Sequence, residues 1–395
     1  MRPFLINPAS GIRGGVILSG DKSIAHRAVI ASALSKGKTK IYNFPRNRDC
    51  LFTVNAFKKL GIKFRWESLQ EYSGTLIVEG RGLFGLERPK GDIFVGESGT
   101  TLRLLLGVLA SQGFRVRLSA ARSLLNRPMR RVNFPLRKMG AQIIAKRAGK
   151  GLKAEEYPPL VIRGGRLRPI SYVMPIASAQ VKSAILLAGL FTKGTTAVVE
   201  PLPTRDHTER MLKIYKADVK VHGNKVVIKG DKDLVSPGRI NIPGDISSAA
   251  FFVALGAITP GSRLCIRNVG LNYSRAGIIR TLKKMGAKIK VLRHKQASLC
   301  LEPLGDIIIK TSRLKGIIVE KDQIPSLIDE LPILMVVAAL ARGKTVLRGV
   351  GELRFKETDR IRSMAENLKK MGADITVKKK GQLETIEIRG IDVLK

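Results

Sequence analysis

An internal repeat limits what this 395-residue chain can fold into more than any other feature of its sequence. Several helix-like segments end in a similar cationic turn, and each is followed by a pair of stretches rich in apolar and β-branched residues. The segments are FKKLGI (57–62), LRKMGA (136–141), TLKKMGA (281–287) and NLKKMGA (367–373), with MLKIYKAD (211–218) as a degenerate fifth. Because Gly after the last helical turn favours a left-handed cap, each unit is predicted to contain a helix and a β-hairpin.

A second helix type alternates with the first and is rich in small and apolar residues. Its five copies, each ending at Gly, are 22–37, 99–113, 180–194, 247–261 and 329–343. The terminal glycines recur every 67 to 82 residues, so a sixth copy is expected to end near position ~420. We therefore expect the last unit to be incomplete at Lys395.

The repeats predict an α/β chain with two lobes. Three copies of each helix type precede Gly238 and two follow it. We expect one lobe at 18–238 with three repeats, and a discontinuous lobe made of 1–17 and 239–395 with an incomplete set. Small-residue helices beside β-rich hairpins indicate sheets with helices packed inside.

The charge of the chain is strongly positive, with 71 Lys and Arg against 31 Asp and Glu and a net charge of +40. The basic residues are scattered and aromatic residues make up only 5%, which disfavours a base-stacking surface. We interpret the excess as a solvated basic surface and expect no nucleic-acid partner. A nucleic-acid-binding protein is the alternative from another class, and a steep salt dependence of binding would favour it.

The sequence indicates neither a membrane segment nor an inorganic centre. The longest apolar run, 331–341, is too short to cross a bilayer, and the first ten residues lack the apolar core of a signal peptide. Cys50, Cys265 and Cys300 are far apart, and the four histidines have no partner at metal-ligand spacing. We expect a cytoplasmic monomer without a disulfide, metal or cofactor.

Three motifs place cations at predicted helix starts, where free amides and the helix dipole favour anions. LSGDKSIAHRA (18–28) carries Lys22, Ser23 and Arg27. GESGTTLR (96–103) contains Gly99, which lets the backbone approach a ligand, and RSLLNRPMRRV (122–132) holds Arg127 before a proline. An ordinary Asp or Ser cap with two solvated cations is the alternative for the first motif, and surface charge is the alternative for Arg130 and Arg131 of the third.

Two further motifs place short polar side chains at helix starts. SAQVKSA (178–184) contains Ser178, Ala179 and Gln180, and PTRDHTERM (203–211) contains Arg205. Hydrogen bonds to hydroxyl groups of a ligand are one interpretation, and simple capping is the other.

Carboxylates suited to proton transfer occur near the C-terminus. IDELP (328–332) sets Asp329 and Glu330 before an apolar helix, where partial desolvation favours proton transfer, although Asp329 also fits a helix cap. RFKETDRIR (354–362) is predicted to place Lys356, Glu357 and Arg360 within one helical turn. A solvated ion-pair face is the alternative for this second motif.

Taken together and in order, the motifs closely resemble the 5-enolpyruvylshikimate-3-phosphate synthase family, from about residue 3 to 395. The matching segments are GDKSIAHR, SGTTLR, RPMRRV, SAQVKSAILLAGL, RDHTERM, IDELP and KETDR. The resemblance implies the two-lobed enolpyruvyl transferase fold, an inside-out α/β barrel of βαβαββ units. It also implies transfer of the enolpyruvyl group of phosphoenolpyruvate to the 5-hydroxyl of shikimate 3-phosphate, by addition and then elimination of phosphate.

The resemblance implies roles for individual residues. Shikimate 3-phosphate would be held by Lys22, Ser23, Arg27, Ser178, Ala179, Gln180, Arg205, Asp329 and Lys356. Phosphoenolpyruvate would be held by Lys22, Gly99, Arg127, Gln180 and Arg360. Asp329 would be the base toward the 5-hydroxyl, while Glu357 and Lys22 would move the proton to and from the methylene carbon.

The chain departs from the family pattern at three places. Glu97 stands where many members carry Asn, and Ala179 stands where some carry a second serine. The GDHR-containing helix and Lys-containing segment expected at the C-terminus do not occur. We therefore expect the chain to bind or turn over phosphoenolpyruvate poorly. The alternatives are an inactive remnant of the family and a UDP-N-acetylglucosamine enolpyruvyl transferase, which typically uses a loop cysteine absent here.

Overall fold

A computed structural model describes residue 9 and residues 11–149, 154–294, 302–381 and 383–394. The chain divides into two compact units, and each is described by itself. Unit 1 comprises Met1–Leu18, Gly244–Gln296 and Pro303–Lys395, and unit 2 comprises Ser19–Pro243 and Ala297–Glu302. Cys50 and Cys265 are free thiols, and Cys300 lies outside the described residues.

Helices and strands alternate along the whole described chain. The helices are α1 (Lys22–Leu34), α2 (Arg48–Lys59), α3 (Gly99–Leu109), α4 (Arg122–Leu125), α5 (Arg130–Met139), α6 (Ala179–Gly189), α7 (His207–Ile214), α8 (Ile246–Ile258), α9 (Gly277–Lys284), α10 (Leu331–Ala339) and α11 (Arg360–Lys370), with 3-10 helices at Lys321–Ser326 and Gly351–Phe355. The strands are β1 (Arg13–Ile17), β2 (Ser35–Pro45), β3 (Lys63–Leu69), β4 (Ser73–Arg81), β5 (Ile93–Phe94), β6 (Arg115–Ser119), β7 (Gln142–Ala148), β8 (Glu155–Arg163), β9 (Ser171–Val173), β10 (Thr195–Val199), β11 (Asp218–His222), β12 (Lys225–Lys229), β13 (Leu234–Val235), β14 (Arg239–Asn241), β15 (Arg263–Gly270), β16 (Lys288–Arg293), β17 (Leu304–Lys310), β18 (Ile318–Val319), β19 (Lys344–Arg348), β20 (Asp374–Lys380) and β21 (Leu383–Arg389).

The repeat is visible in the strand order of five sheets. Unit 2 contains the orders β13-β2-β4-β3, β5-β6-β8-β7 and β9-β10-β12-β11, and unit 1 contains β1-β15-β17-β16 and β18-β19-β21-β20. In every sheet the first two strands are parallel and the last two form an antiparallel hairpin. The predicted helix and hairpin are confirmed in all five units, including the degenerate one.

The predicted two-lobed α/β fold is confirmed, with three repeats in unit 2 and two in unit 1. Pairing among the described strands gives separate sheets and no closed barrel. No helix in the described part of the chain combines the length and apolar character needed to cross a membrane.

The small-residue helices end earlier than the sequence pattern predicts. α1 ends at Leu34, three residues before Gly37, and α10 ends at Ala339, four residues before Gly343. Both glycines have positive φ, 104° and 90°. Gly37 lies near the start of β2 and Gly343 directly precedes β19, so neither is the last helical residue. The helix and the segment that follows it both contain small residues, so the sequence alone does not separate them.

Close backbone contact between α3 and α6 lies in the core of unit 2. A Cβ on Gly107 of α3 would lie 2.3 Å from the carbonyl oxygen of Ala184 in α6. Both helices are buried around most of their surface, as expected for helices that are apolar on all sides. Glycine at this position lets the two helix backbones approach each other.

Gly107→Ala should therefore destabilise the fold, although alanine is the better helix former. We expect the free energy of unfolding to fall by about 1–3 kcal/mol, because the new methyl group has no space against Ala184. Gly113→Ala is the matched control, since its Cβ would meet nothing within 4 Å. Urea unfolding of both variants measures the difference, and equal stabilities would contradict the close contact.

Candidate active site

The start of α1 carries a lysine fixed by the neighbouring helix. The side chain of Asp21 caps α1 by accepting a hydrogen bond from the amide of Ile24 at 2.9 Å. Lys22 Nζ lies 2.9 Å from Asp49 Oδ2 in the first turn of α2. Lys22 and Ser23 are both half-buried. This arrangement holds a cation and a hydroxyl at a helix N-terminus, where an anion is favoured.

Arg27 is buried and connects three helices. Its Nε donates to Thr208 Oγ1 at 2.6 Å, its Nη2 to Ser183 Oγ at 2.8 Å and its Nη1 to the carbonyl of Ser23 at 2.8 Å. Burial lowers the pKa of Arg27 to about 10, and the negative charge of Glu209 opposes this effect. The guanidinium therefore stays protonated at neutral pH and is held in one orientation.

A pair of arginines lies against the start of α3. A Cβ on Gly99 would lie 2.7 Å from Arg127 Nη1 and 2.8 Å from Arg103 Nη1. Both arginines are buried, with exposed fractions of 9% and 4%. Only a residue without a side chain leaves room for both guanidinium groups at this helix N-terminus.

Gln180 is held between two groups of α3. Its Oε1 accepts from Arg103 Nη1 at 2.9 Å, and its Nε2 donates to Thr100 Oγ1 at 2.9 Å. Arg103 Nη2 also donates to the carbonyl of Pro128, next to Arg127. The structure thus brings Gly99, Arg127 and Gln180 together through Arg103, the cation of the GESGTTLR motif, to which the family resemblance assigned no substrate.

The remaining predicted residues of unit 2 lie at the starts of α6 and α7. Ser178 is the N-cap of α6 and accepts from the amide of Val181 at 3.4 Å, so the capping interpretation holds for its side chain. Ala179 is the first residue of α6. Arg205 is half-buried and comes two residues before α7 begins at His207.

A buried charge cluster supports the starts of α6 and α7. Lys182 Nζ lies 2.8 Å from Glu200 Oε2 and 2.7 Å from Glu209 Oε1, and all three side chains are at most 4% exposed. The negative charges keep the pKa of Lys182 raised despite its burial, whereas burial raises the pKa of Glu209. Sequence reasoning missed this cluster, although a lysine inside the apolar stretch SAQVKSAILLAG was a usable signal.

In unit 1, Asp329 lies among three cations. Its Oδ1 is 3.5 Å from Arg360 Nη1 and 3.6 Å from Lys356 Nζ, and its Oδ2 is 3.5 Å from Arg275 Nη1. The side chain is 25% exposed, while that of the adjacent Glu330 is 1% exposed. The N-cap of α10 is Glu330, so the alternative that Asp329 caps this helix is wrong.

The prediction that Lys356, Glu357 and Arg360 share one helical turn is also wrong. Asp359 caps α11 by accepting from the amide of Arg362 at 3.0 Å, so the helix begins only at Arg360. Lys356 reaches Asp329 from the turn before the helix. Glu357 Oε2 accepts from Arg360 Nη2 at 2.6 Å, which places this carboxylate next to the same cluster.

A hydrogen-bonded chain behind Lys22 joins α1, α2 and α3. His26 Nδ1 and Thr53 Oγ1 are 2.6 Å apart, and Thr53 Oγ1 and Thr101 Oγ1 are 2.7 Å apart. Burial lowers the pKa of His26 well below its usual value, and the charges of Lys22 and Arg27 add to this effect. The imidazole is therefore neutral in the folded protein.

The lowered pKa of His26 predicts a loss of stability in mild acid. The unfolded chain binds a proton at this residue near pH ~6.5 and the folded chain does not, so stability is lost as the pH falls below that value, by about 1.4 kcal/mol per pH unit. Chemical unfolding between pH 7 and 5 should give a shallower decline for His26→Gln than for the parent chain. The exposed His222 provides the control, since His222→Gln should keep the parent slope. Identical slopes for all three proteins would rule out a buried neutral His26.

Comparison with known proteins identifies the family. The family model described as EPSP synthase (3-phosphoshikimate 1-carboxyvinyltransferase) matches residues 6–393. The chain is 47% identical over 376 residues to the 3-phosphoshikimate 1-carboxyvinyltransferase of Geobacillus kaustophilus, covering 95% of this chain and 84% of that protein. The protein of the same name from Pelotomaculum thermopropionicum is 46% identical over 391 residues, covering 99% of this chain and 86% of that protein.

Solved structures agree with this assignment. EPSP synthase from Acinetobacter baumannii superimposes with a TM-score of 0.81 at 44% identity, covering 97% of this chain and 83% of that one. The enolpyruvyl transferase NikO from Streptomyces tendae superimposes with a TM-score of 0.70 at 17% identity, which supports the fold alone. The family match continues to residue 393. The chain belongs to the EPSP synthase (3-phosphoshikimate 1-carboxyvinyltransferase) family.

Proposed function

We propose that the chain catalyses the reaction of its family through two groups of side chains, one in each unit. The reaction transfers the enolpyruvyl group of phosphoenolpyruvate to the 5-hydroxyl of shikimate 3-phosphate and releases phosphate. The observation that carries the proposal is the carboxylate of Asp329, which lies within 3.6 Å of Arg275, Lys356 and Arg360. The carboxylate can accept a proton from a hydroxyl, and the cations around it can bind anionic substrates.

Binding of shikimate 3-phosphate requires cations for its anionic groups and hydrogen-bond partners for its hydroxyl groups. Lys22, Ser23 and Arg27 provide them at the start of α1, and two N–H groups of Arg27 have no partner among the described residues. The starts of α6 and α7 add backbone amides at helix N-termini. The further residues assigned to this substrate are Ser178, Ala179, Gln180, Arg205, Asp329 and Lys356.

Phosphoenolpyruvate carries a phosphate and a carboxylate on a three-carbon unit. Arg127 is fixed beside Gly99, and Gln180 is fixed by Arg103, so this group offers an arginine fork at a helix start. Lys22 and Arg360 complete the cations assigned to this substrate. Because Arg103 lies as close to Gly99 as Arg127 does, we add it to the set that supports phosphoenolpyruvate binding.

The chemistry has two stages. Asp329 takes the proton of the 5-hydroxyl as the hydroxyl oxygen bonds to C2 of phosphoenolpyruvate, and the methylene carbon gains a proton, a transfer that the family resemblance assigns to Lys22 and Glu357. The same two residues are assigned the removal of a proton from the new methyl group as the bond from C2 to the phosphate oxygen breaks. Fixed cations stabilise the negative charge that develops on the transferring group.

Two other expectations stay with this proposal. A monomer remains our prediction. The cytoplasmic location also remains a prediction.

The activity is tested with the purified chain and both substrates. We expect one phosphate released for each enolpyruvyl group transferred, measured by phosphate assay and mass spectrometry of the product. UDP-N-acetylglucosamine should give no product, whereas product from it would favour the alternative acceptor. A folded chain that is inactive with both acceptors would favour the inactive remnant.

Gly99→Ala should weaken phosphoenolpyruvate binding selectively. The new methyl group would lie 2.7 Å from Arg127 Nη1, so the arginine must move, and we expect the KM for phosphoenolpyruvate to rise by at least about tenfold. The KM for shikimate 3-phosphate should rise less than the KM for phosphoenolpyruvate, because Ser23 and Arg27 of α1 are not displaced even if Arg103 and Gln180 shift. Gly91→Ala is the matched control, since its Cβ would meet nothing within 4 Å. Equal effects on both KM values would contradict the assignment of Gly99 and Arg127.

A further inference from the structure

A buried ion pair lies directly behind Asp329, and the roles proposed above do not use its acidic partner. Glu330 Oε1 accepts from Arg275 Nη1 at 2.7 Å and also from Ser247 Oγ. Arg275 Nη2 donates to the same hydroxyl. The three side chains form a closed triangle in which Arg275 is 5% exposed and Glu330 1% exposed.

The same guanidinium faces two consecutive carboxylates. Arg275 Nη1 lies 2.7 Å from Glu330 Oε1 and 3.5 Å from Asp329 Oδ2. It therefore approaches Asp329 on the oxygen opposite to Lys356 and Arg360, which both face Oδ1. Of the two carboxylates, the fully buried Glu330 receives the shorter contact.

Three separate elements hold the triangle in place. Ser247 lies in the first turn of α8, and its amide donates to Asp245 Oδ1 at 2.8 Å. The amide of Arg275 donates to the carbonyl of Asn272 at 2.9 Å, just before α9. Glu330 is the N-cap of α10. Movement of Arg275 would break contacts to α8 and α10 together, so its position is well defined.

We propose that Arg275 is a positioning residue for Asp329 and that Glu330 is its counter-ion. This inference rests on the proposed role of Asp329 as the base. A nearby guanidinium orients a carboxylate but also lowers its affinity for a proton. Glu330 offsets most of that charge, so Arg275 orients Asp329 while leaving it basic enough to accept the hydroxyl proton.

The charges around Asp329 determine how each substitution shifts the proton affinity of its carboxylate. Arg275, Lys356 and Arg360 face the carboxylate directly, Glu330 pairs with Arg275, and Glu357 pairs with Arg360. Removal of Glu330's charge alone leaves the positive charge of Arg275 without its counter-ion. Removal of the charges of both Arg275 and Glu330 takes away one of the cations that face Asp329. The two changes act on its proton affinity in opposite directions.

The test is the pH profile of kcat/KM for Glu330→Gln and for the double variant Arg275→Met with Glu330→Gln. In Glu330→Gln the acid limb should shift to lower pH by roughly half a unit, and in the double variant to higher pH by about one unit. Lost orientation should also lower kcat of the double variant at least about tenfold. The double variant keeps the test valid if Glu330→Gln does not fold, because it buries no unpaired charge.

The control changes the same kinds of charge on the exposed face of α11. Arg362→Met with Glu366→Gln removes an exposed ion pair and should leave the profile unchanged. Unshifted profiles in folded Arg275 and Glu330 variants, or shifts of the same sign in both, would overturn the positioning role. Asp329→Asn separates this outcome from failure of the proposed function. An inactive Asp329→Asn with unshifted profiles removes only the role of Arg275, whereas an active Asp329→Asn removes the assigned base.

Discussion

Backbone-level packing between small-residue helices is the constraint on which the candidate site of unit 2 depends. Gly107 of α3 lies so close to Ala184 of α6 that no side chain fits between them. This approach allows short polar links between the starts of α3 and α6, namely Arg103 to Gln180 and Gln180 to Thr100. With a larger residue at Gly107 the helices would separate, and the cations would lose their common orientation.

The site combines fixed cations with acids that keep them in place. Asp49 fixes Lys22, and Glu200 and Glu209 fix Lys182, whereas Arg27 is held by hydroxyl and carbonyl oxygens. Such preorganised groups need little rearrangement when charge develops during a reaction. The net charge of +40 is a property of the whole chain, and the site uses only a small part of it. A basic chain can therefore hold a site in which Lys22, Arg275, Lys356 and Arg360 each lie beside a carboxylate.

Much of the fold was predictable because each repeat consists of helix and strand patterns that are contiguous along the sequence. Cationic helix ends and small-residue helices recur, and the five sheets share one strand order. The candidate residues were also predictable in part, since Lys22, Gly99, Asp329 and Arg360 stand in short ordered motifs. The helix boundaries were less accurate. The capping of α11 by Asp359, and hence the start of that helix after Lys356, is a choice among several possible caps that packing decides.

The sequence by itself determined the unit of the repeat, the two-lobed α/β class and the family, because these depend on periodicity and on motifs that are contiguous along the chain. Only the tertiary structure decided which charges act together. Arg103 and Gln180 are 77 residues apart, and Arg275 and Glu330 are 55 residues apart. Such pairs leave no local pattern, because a hydrogen bond depends on distance in space, and helix packing brings these side chains within reach.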